Sequence, residues 1–261
     1  MKKIIVISLT FLFIGITSKS WAWGKTGHRV VANVACRHLT DKAKKNINAI
    51  LGGHSMAEVA NWMDDIKSDT NPDLDTLRDY HWVTIPDGMT YAQSNKNSKG
   101  DVIKGLHIVI AKLKKGGLSP MLEREYLKML IHFIGDLHEP LHVGRGDDRG
   151  GNSIKLEWFG HHTNLHAIWD SEMINSKLLS YTELSDMVDC CASPNQIKMW
   201  QSGTIEDWAE ECVQLRPQIY HYDTSKRYWE YHYAYNNWNT VKSQLEKGGV
   251  RLAGILNNIF G

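Results

Sequence analysis

The strongest constraint on this 261-residue chain is the concentration of imidazoles and carboxylates between Ile131 and Asp170. The stretch holds IHFIGDLHEPLHVG and, after a glycine-rich loop, TNLHAIWD, which together supply His132, Asp136, His142, His166 and Asp170. His132 and Asp136 are four apart in a segment with helical apolar rhythm through Leu127, Leu130, Ile131 and Ile134, so both project from nearly one face. His166 and Asp170 repeat that spacing, and Asn164 can cap their helix. Pro140 kinks or ends the first helix, which lets His142 face a different centre from His132. Imidazole nitrogen and carboxylate oxygen are zinc donors, and two such pairs are hard to explain as packing.

The remaining donors are spread along the chain. WGKTGHRVVANVACRHL predicts a helix from about His28 to Leu39, with His28 at its first turn. A second helix is expected over Thr40 to Leu51, ended by Gly52-Gly53, and a third over MAEVANWMDDIK with Val59, Trp62, Met63 and Ile66 on its apolar face. The third carries Asp64 and Lys67 three apart. RDYHWVTIPDG predicts a short extended segment containing His81, Trp82 and Thr84. Further helices are expected from Asp101 to Lys115, Ser180 to Asp189, Pro194 to Leu215 and Lys226 to Asn258. IKLEWF suggests one strand of a small hairpin. The fold class is therefore mainly α, a single multi-helical domain with a small β-hairpin.

The N-terminus reads as a secretory leader: Lys2 and Lys3, an apolar run from Ile4 to about Ile16, then Ser20-Trp21-Ala22. Residues 1–22 would be removed, and 23–261 would form one domain with no membrane anchor. The apolar run is shorter than the roughly 20 residues a spanning helix needs. A net charge of +1 leaves no general basic footprint for nucleic acid, so any polyanion has to be held locally. The four cysteines, Cys36, Cys190, Cys191 and Cys212, permit two disulfides in an exported chain. A bond between the adjacent pair would be strained, and the expected bridge joins one of them to Cys212. Arg145-Gly146-Asp147 spells an adhesion tripeptide, too short to carry a function by itself.

Five histidines and three aspartates (His28, His81, His132, His142, His166, Asp64, Asp136 and Asp170) exceed the needs of one zinc and suit a cluster of two or three. Cleavage before Trp23 would add a free amine, which loses its proton readily to a metal. Such a cluster could hold a phosphodiester without basic patches, and the chemistry implied is metal-assisted hydrolysis of a phosphate ester.

WGKTGH, NWMDDIK, DYHWVTIP, HFIGDLHEPLHVG, GDDRGGN, TNLHAIWD and GGVRLAGILN, in this order, cover nearly the whole mature chain. In them the chain resembles the secreted zinc-dependent single-strand-specific nucleases of the S1/P1 family, related in fold to zinc phospholipase C. The resemblance implies three Zn2+ ions. The first would take Asp64, His81, His132 and Asp136, and the second His142, His166 and Asp170. The third would take the amine and carbonyl of Trp23 with His28, bridged by Asp136. Asp64 rather than Asp65 is implied because it sits two after Trp62. A water between the first and third ions would attack phosphorus.

Lys67 stands where many members have arginine, near the transition-state phosphate, and is implied as a catalytic and substrate-binding group with Asp64. Trp82 stands where members often place a base-stacking phenylalanine, and Thr84 where some have a base-contacting acid or amide. His138 is expected beside the ligands, His161 and His162 in solvent, and His107 and His232 in packing. The implied substrates are single-stranded DNA and RNA and 3′-nucleotides, cleaved to 5′-phosphorylated products, with no obligate protein partner. The rival is a zinc phospholipase C. Against it, the last motif ends in Asp170, where the phospholipases show glutamate.

Overall fold

The computed structural model of the chain describes residues 23–66 and 80–261; the expected leader, 1–22, and Lys67 lie outside the described residues. The fold is built from α1 (Lys25–Arg37), α2 (Asp41–Ile50), α3 (Met56–Val59), α4 (Trp62–Asp65), β1 (Val83–Thr84) and α5 (Val102–Lys115). α6 (Pro120–His138) follows, then a 3-10 turn at Pro140–His142, β2 (Val143–Gly144), β3 (Lys155–Trp158) and β4 (His161–Asn164). After them come α7 (Leu165–Ala167), a π turn at Ile168–Glu172, α8 (Met173–Asn175), α9 (Tyr181–Val188), α10 (Pro194–Gln201), α11 (Ile205–Gln214), α12 (Arg216–Ile219) and α13 (Trp229–Phe260). The mainly α class with one small hairpin is what the sequence predicts.

α6 is the centre of the bundle. Its first half faces solvent in part, but Met129 to His138 is buried all round, under α1, α4, α5, α11 and α13. That is the environment of a helix apolar on every face, and it is where His132 and Asp136 lie. Ser119 accepts from Leu122 N and Pro120 takes the first helical position, so the start of α6 is set locally. α13 is the long strut beside it, and it also packs on α1. Close approach there depends on Gly249, where an added Cβ would lie 2.5 Å from Val34 Cβ.

Two tiny sheets position loops rather than form a layer. β1 and β2 pair in parallel, Val83 with Val143 and Thr84 with Gly144, which ties the His81 segment to the His142 segment. Buried Arg216 clamps that junction, donating to Val143 O at 2.8 Å and to Asp87 Oδ1 at 2.6 Å. β3 and β4 form the expected antiparallel hairpin, closed by Phe159 and Gly160, both at positive φ as a tight two-residue turn requires.

Three expectations are corrected. The predicted helix through MAEVANWMDDIK is broken at Ala60-Asn61, because Ala60 O accepts a hydrogen bond from His132 Nδ1 at 2.7 Å instead of continuing a helical ladder. The predicted helix from Pro194 to Leu215 is two helices, parted by Gly203 at φ 90° and restarted by a capping box of Thr204 and Asp207. The expected bridge to Cys212 is absent: Cys212 is a buried thiol that donates to Leu137 O, while Cys190 and Cys191 are exposed thiols after α9. Among the described residues, no helix is long and apolar enough to cross a membrane.

Candidate metal centre

The site forms where α1, α4 and the turn before β1 meet the buried half of α6. His28 comes from the first turns of α1, Asp64 from α4, His81 from the turn, and His132 and Asp136 from α6; all five are at most 3% exposed. The rings of His28 and His132 stack at 3.9 Å with an interplanar angle of 11°. Gly135 makes this possible, since an added Cβ there would sit 2.5 Å from His28 Nδ1.

Asp136 lies at the junction of two donor groups. Its Oδ2 is 3.0 Å from His81 Nδ1 and 3.4 Å from His132 Nε2, while its Oδ1 is 3.4 Å from His28 Nε2. Asp64 Oδ1 completes one group at 3.8 Å from His81 Nδ1 and 3.7 Å from His132 Nε2. One donor atom from each of Asp64, His81 and His132 falls within 4.8 Å of the others, and the same holds for His28, His132 and Asp136. Asp65, by contrast, is exposed and pairs with Lys25 at 3.2 Å, so the buried member of the Asp64-Asp65 pair is the one the motif spacing selects.

A second focus lies beyond the break at Pro140. His142 and His166 approach with ring centroids 5.0 Å apart. The carboxylate grouped with them within 4.8 Å is Glu139, which is not among the donors expected from the sequence. Asp170, placed here by its spacing from His166, is also buried, one side of its carboxylate held by Ser171 Oγ at 3.0 Å. Residues 168–172 form a π turn, wider than the helical turn assumed for that spacing; π turns are frequent at functional sites.

The outer hydrogen bonds suit metal ligation. Nδ1 donates to Ala60 O in His132, to His81 O at 2.5 Å in His142 and to Gly150 O at 2.7 Å in His166. Each ring thereby presents Nε2 as its other face, the arrangement typical of metal-bound histidine. The glycine-rich loop has a concrete task here, supplying the Gly150 carbonyl.

Burial shapes the protonation of the site. It lowers the His132 pKa, keeping the ring neutral as a ligand must be, and this outweighs the nearby Asp136 carboxylate. It drives Asp170 well above the usual carboxylate range, with Glu139, Asp64 and Asp136 adding to the shift, and pushes Glu139 up to about 8. Glu139 Oε1 and Asp170 Oδ1 are buried with no hydrogen-bond partner in the protein. Carboxylates crowded together in an apolar interior call for a cation, and nitrogen and oxygen donors at these separations fit zinc.

Other predicted residues take varied places. Trp23 is fully buried, and Gly24 N donates to Asp170 O at 2.7 Å, so residue 23 is held beside the second focus. Trp82 is 40% exposed rather than core, and Thr84 is half-buried in β1. His138 bonds to Ile134 O and accepts from Arg251 Nη1 at 3.0 Å, which ties it to α13 rather than to the ligands. His161 and His162 are exposed, as expected; His107 and His232 are exposed too, contrary to their packing assignment. Arg145 is turned onto Asp147 at 2.7 Å and over the Tyr220 ring, so the adhesion tripeptide is folded on itself.

The chain matches the S1/P1 Nuclease family over residues 23–261. It is 28% identical to Endonuclease 2 of Arabidopsis thaliana over 292 residues, covering 99% of this chain and 97% of that one. It is 28% identical to Nuclease P1 of Penicillium citrinum over 281 residues, with 92% and 98% covered, and 29% identical to Nuclease S1 of Aspergillus oryzae over 182 residues, with 66% and 61% covered. With a match that runs from Trp23 to the last residue and a buried histidine-aspartate cluster able to hold metal, the chain belongs to the zinc-dependent S1/P1 nuclease family and is a hydrolase of phosphodiester bonds.

Proposed function

We propose that the mature chain, beginning at Trp23 after export, is a three-zinc endonuclease of single-stranded DNA and RNA that leaves 5′-phosphorylated products and also removes 3′-phosphates from nucleotides. The observation that carries this reading is the bridging position of Asp136, within 3.4 Å of histidines from both donor groups. In this reading Asp64, His81, His132 and Asp136 hold the first ion, and His142, His166 and Asp170 the second. His28, with the amine and carbonyl of Trp23, holds the third. Bound zinc supplies Lewis acidity toward phosphate oxygens and lowers the proton affinity of water.

The chain's own groups do the rest. Asp136 holds two groups of histidines in register, and the Nδ1 bonds to Ala60, His81 and Gly150 fix the ring orientations. Lys67 neutralises phosphate charge as it develops; Trp82, with its exposed ring, stacks an unpaired base, and Thr84 lies at the edge of that base. A stacking ring needs an unstacked base, which favours single strands over duplex.

The test is an assay of the chain starting at Trp23 on single-stranded DNA, duplex DNA, RNA, a 3′-nucleotide and phosphatidylcholine, with and without a chelator. Chelator-sensitive cleavage of the single strands to 5′-phosphates is expected, with duplex DNA cut far more slowly. Hydrolysis of the lipid alone, or equal rates on duplex and single strand, contradicts the proposal.

A further inference from the structure

Outside the metal centre, the turn after α9 carries a nucleophilic pair that phosphodiester hydrolysis does not use. Cys190 and Cys191 are both exposed, and their sulfurs lie 2.7 Å apart. Either thiol can donate to the other at that separation, so the two sulfurs face one another. Cys190 Sγ also reaches Met187 O at 3.4 Å, which directs the pair across the end of the helix. The other two thiols are poorly placed to compete: Cys212 is fully buried between Leu137 O and Gln244, and Cys36 is half-buried in α1.

We propose that Cys190 and Cys191 form a thiol–disulfide exchange site that is oxidised by a low-molecular-weight disulfide and closes to a vicinal disulfide. One cysteine thiolate attacks the oxidant's sulfur–sulfur bond, forming a mixed disulfide and releasing the first thiolate. The neighbouring cysteine, once deprotonated, attacks the protein-side sulfur and releases the second. Two protons leave the protein, the pair loses two electrons, and the oxidant is reduced to two thiols.

The product is a reversible bond rather than a permanent strut. Adjacent Cα atoms are fixed about 3.8 Å apart, below the roughly 4.4–6.8 Å that relaxed disulfides span, and strained disulfides are the readily reduced ones. The location gives the bond something to act on. Asp189, immediately before the pair, accepts from His38 Nε2 at 2.7 Å, and Asp186 pairs with Arg37 at 2.5 Å. The exchange site therefore adjoins the polar latch between α9 and the C-terminal end of α1, the helix that carries His28 at its other end.

The experiment treats the intact chain with glutathione disulfide, quenches it with an alkylating agent and maps tryptic peptides by mass. The peptide spanning residues 178–198 contains only these two cysteines. It is expected unalkylated and about 2 Da lighter than its dithiol form, with both thiols regained on reduction by dithiothreitol. In Cys191→Ser, closure is lost and Cys190 retains bound glutathione. Recovery of the wild-type peptide with both cysteines alkylated, with glutathione still attached, or linked to Cys36, Cys212 or a second chain overturns the proposal.

Discussion

At Gly135 a lone hydrogen stands where any other residue would place a Cβ against His28. An added methyl would lie 2.5 Å from His28 Nδ1, inside the stack of His28 on His132. Helix propensity alone makes Gly→Ala favourable by about 1 kcal/mol, so the direction of the effect is diagnostic. Gly135→Ala is expected to lower zinc affinity and kcat/KM by about tenfold to a hundredfold, the usual cost of disturbing a ligand's support. An alanine variant with unchanged zinc affinity would show that His28 is not held where the metal needs it. At this scale much of the site could be read in the chain: His132 and Asp136 share a face because they are four apart, whereas Asp64 was told from Asp65 only by the family resemblance, which places the ligand two after Trp62. Glu139 was not visible, because a glutamate before proline at a helix end looks like a surface residue. Only the tertiary burial of that end, which leaves Glu139 fully covered, marks it.

The elements explain why ligands from distant segments arrive together. The π turn carrying Asp170 follows a cap in which Asn164 Oδ1 accepts from Ala167 N at 2.9 Å, and that cap sets the start of the helix bearing His166. Asn164→Ala is expected to lower unfolding free energy by about 1 kcal/mol in denaturant titration and to weaken zinc binding as His166 loses its anchor. A variant equal to the parent in both would remove the cap from the account. The broken helix at Ala60-Asn61 follows the same logic. Apolar periodicity favoured continuity through Val59, Trp62 and Met63, but His132 takes the Ala60 carbonyl. Periodicity records which face is buried; it carries no information about a carbonyl claimed by a side chain 72 residues away.

Across the whole molecule, the bundle holds several ionisable groups in a protonation state they would not keep in water, which links stability to pH. In the metal-free chain, Glu139 at about 8 and the raised Asp170 bind protons more tightly folded than unfolded. Their contribution is complete at low pH and is lost as pH rises through the folded values. His132 and His138, both lowered by burial, act in the opposite sense, costing stability as pH falls below about 6.5. Between about pH 7 and 8 the histidine effect is spent, so the metal-free chain is expected to lose stability there in denaturant titrations. The zinc-loaded chain should not, since an ion held by Asp170, His142 and His166 would also favour the charged form of Glu139, whose carboxylate lies within 4.8 Å of both histidines' donor atoms. A metal-free midpoint that stays flat or rises across this window contradicts the assigned burial of Glu139 and Asp170.

Helix class, hairpin and most donors were legible because periodicity and spacing are local properties. Which carboxylate meets which imidazole is decided by packing across the bundle: spacing pointed to Asp170, and only the buried end of α6 brings Glu139 to the same histidines. The central claim is that this buried cluster is a zinc centre that performs the hydrolysis. Its most direct test is elemental analysis of zinc per chain, titrated against nuclease activity as a chelator strips the protein beginning at Trp23. Three zinc ions per chain are expected at full activity, with activity falling as the bound metal is removed. Full activity in a chain emptied of zinc would contradict the central claim.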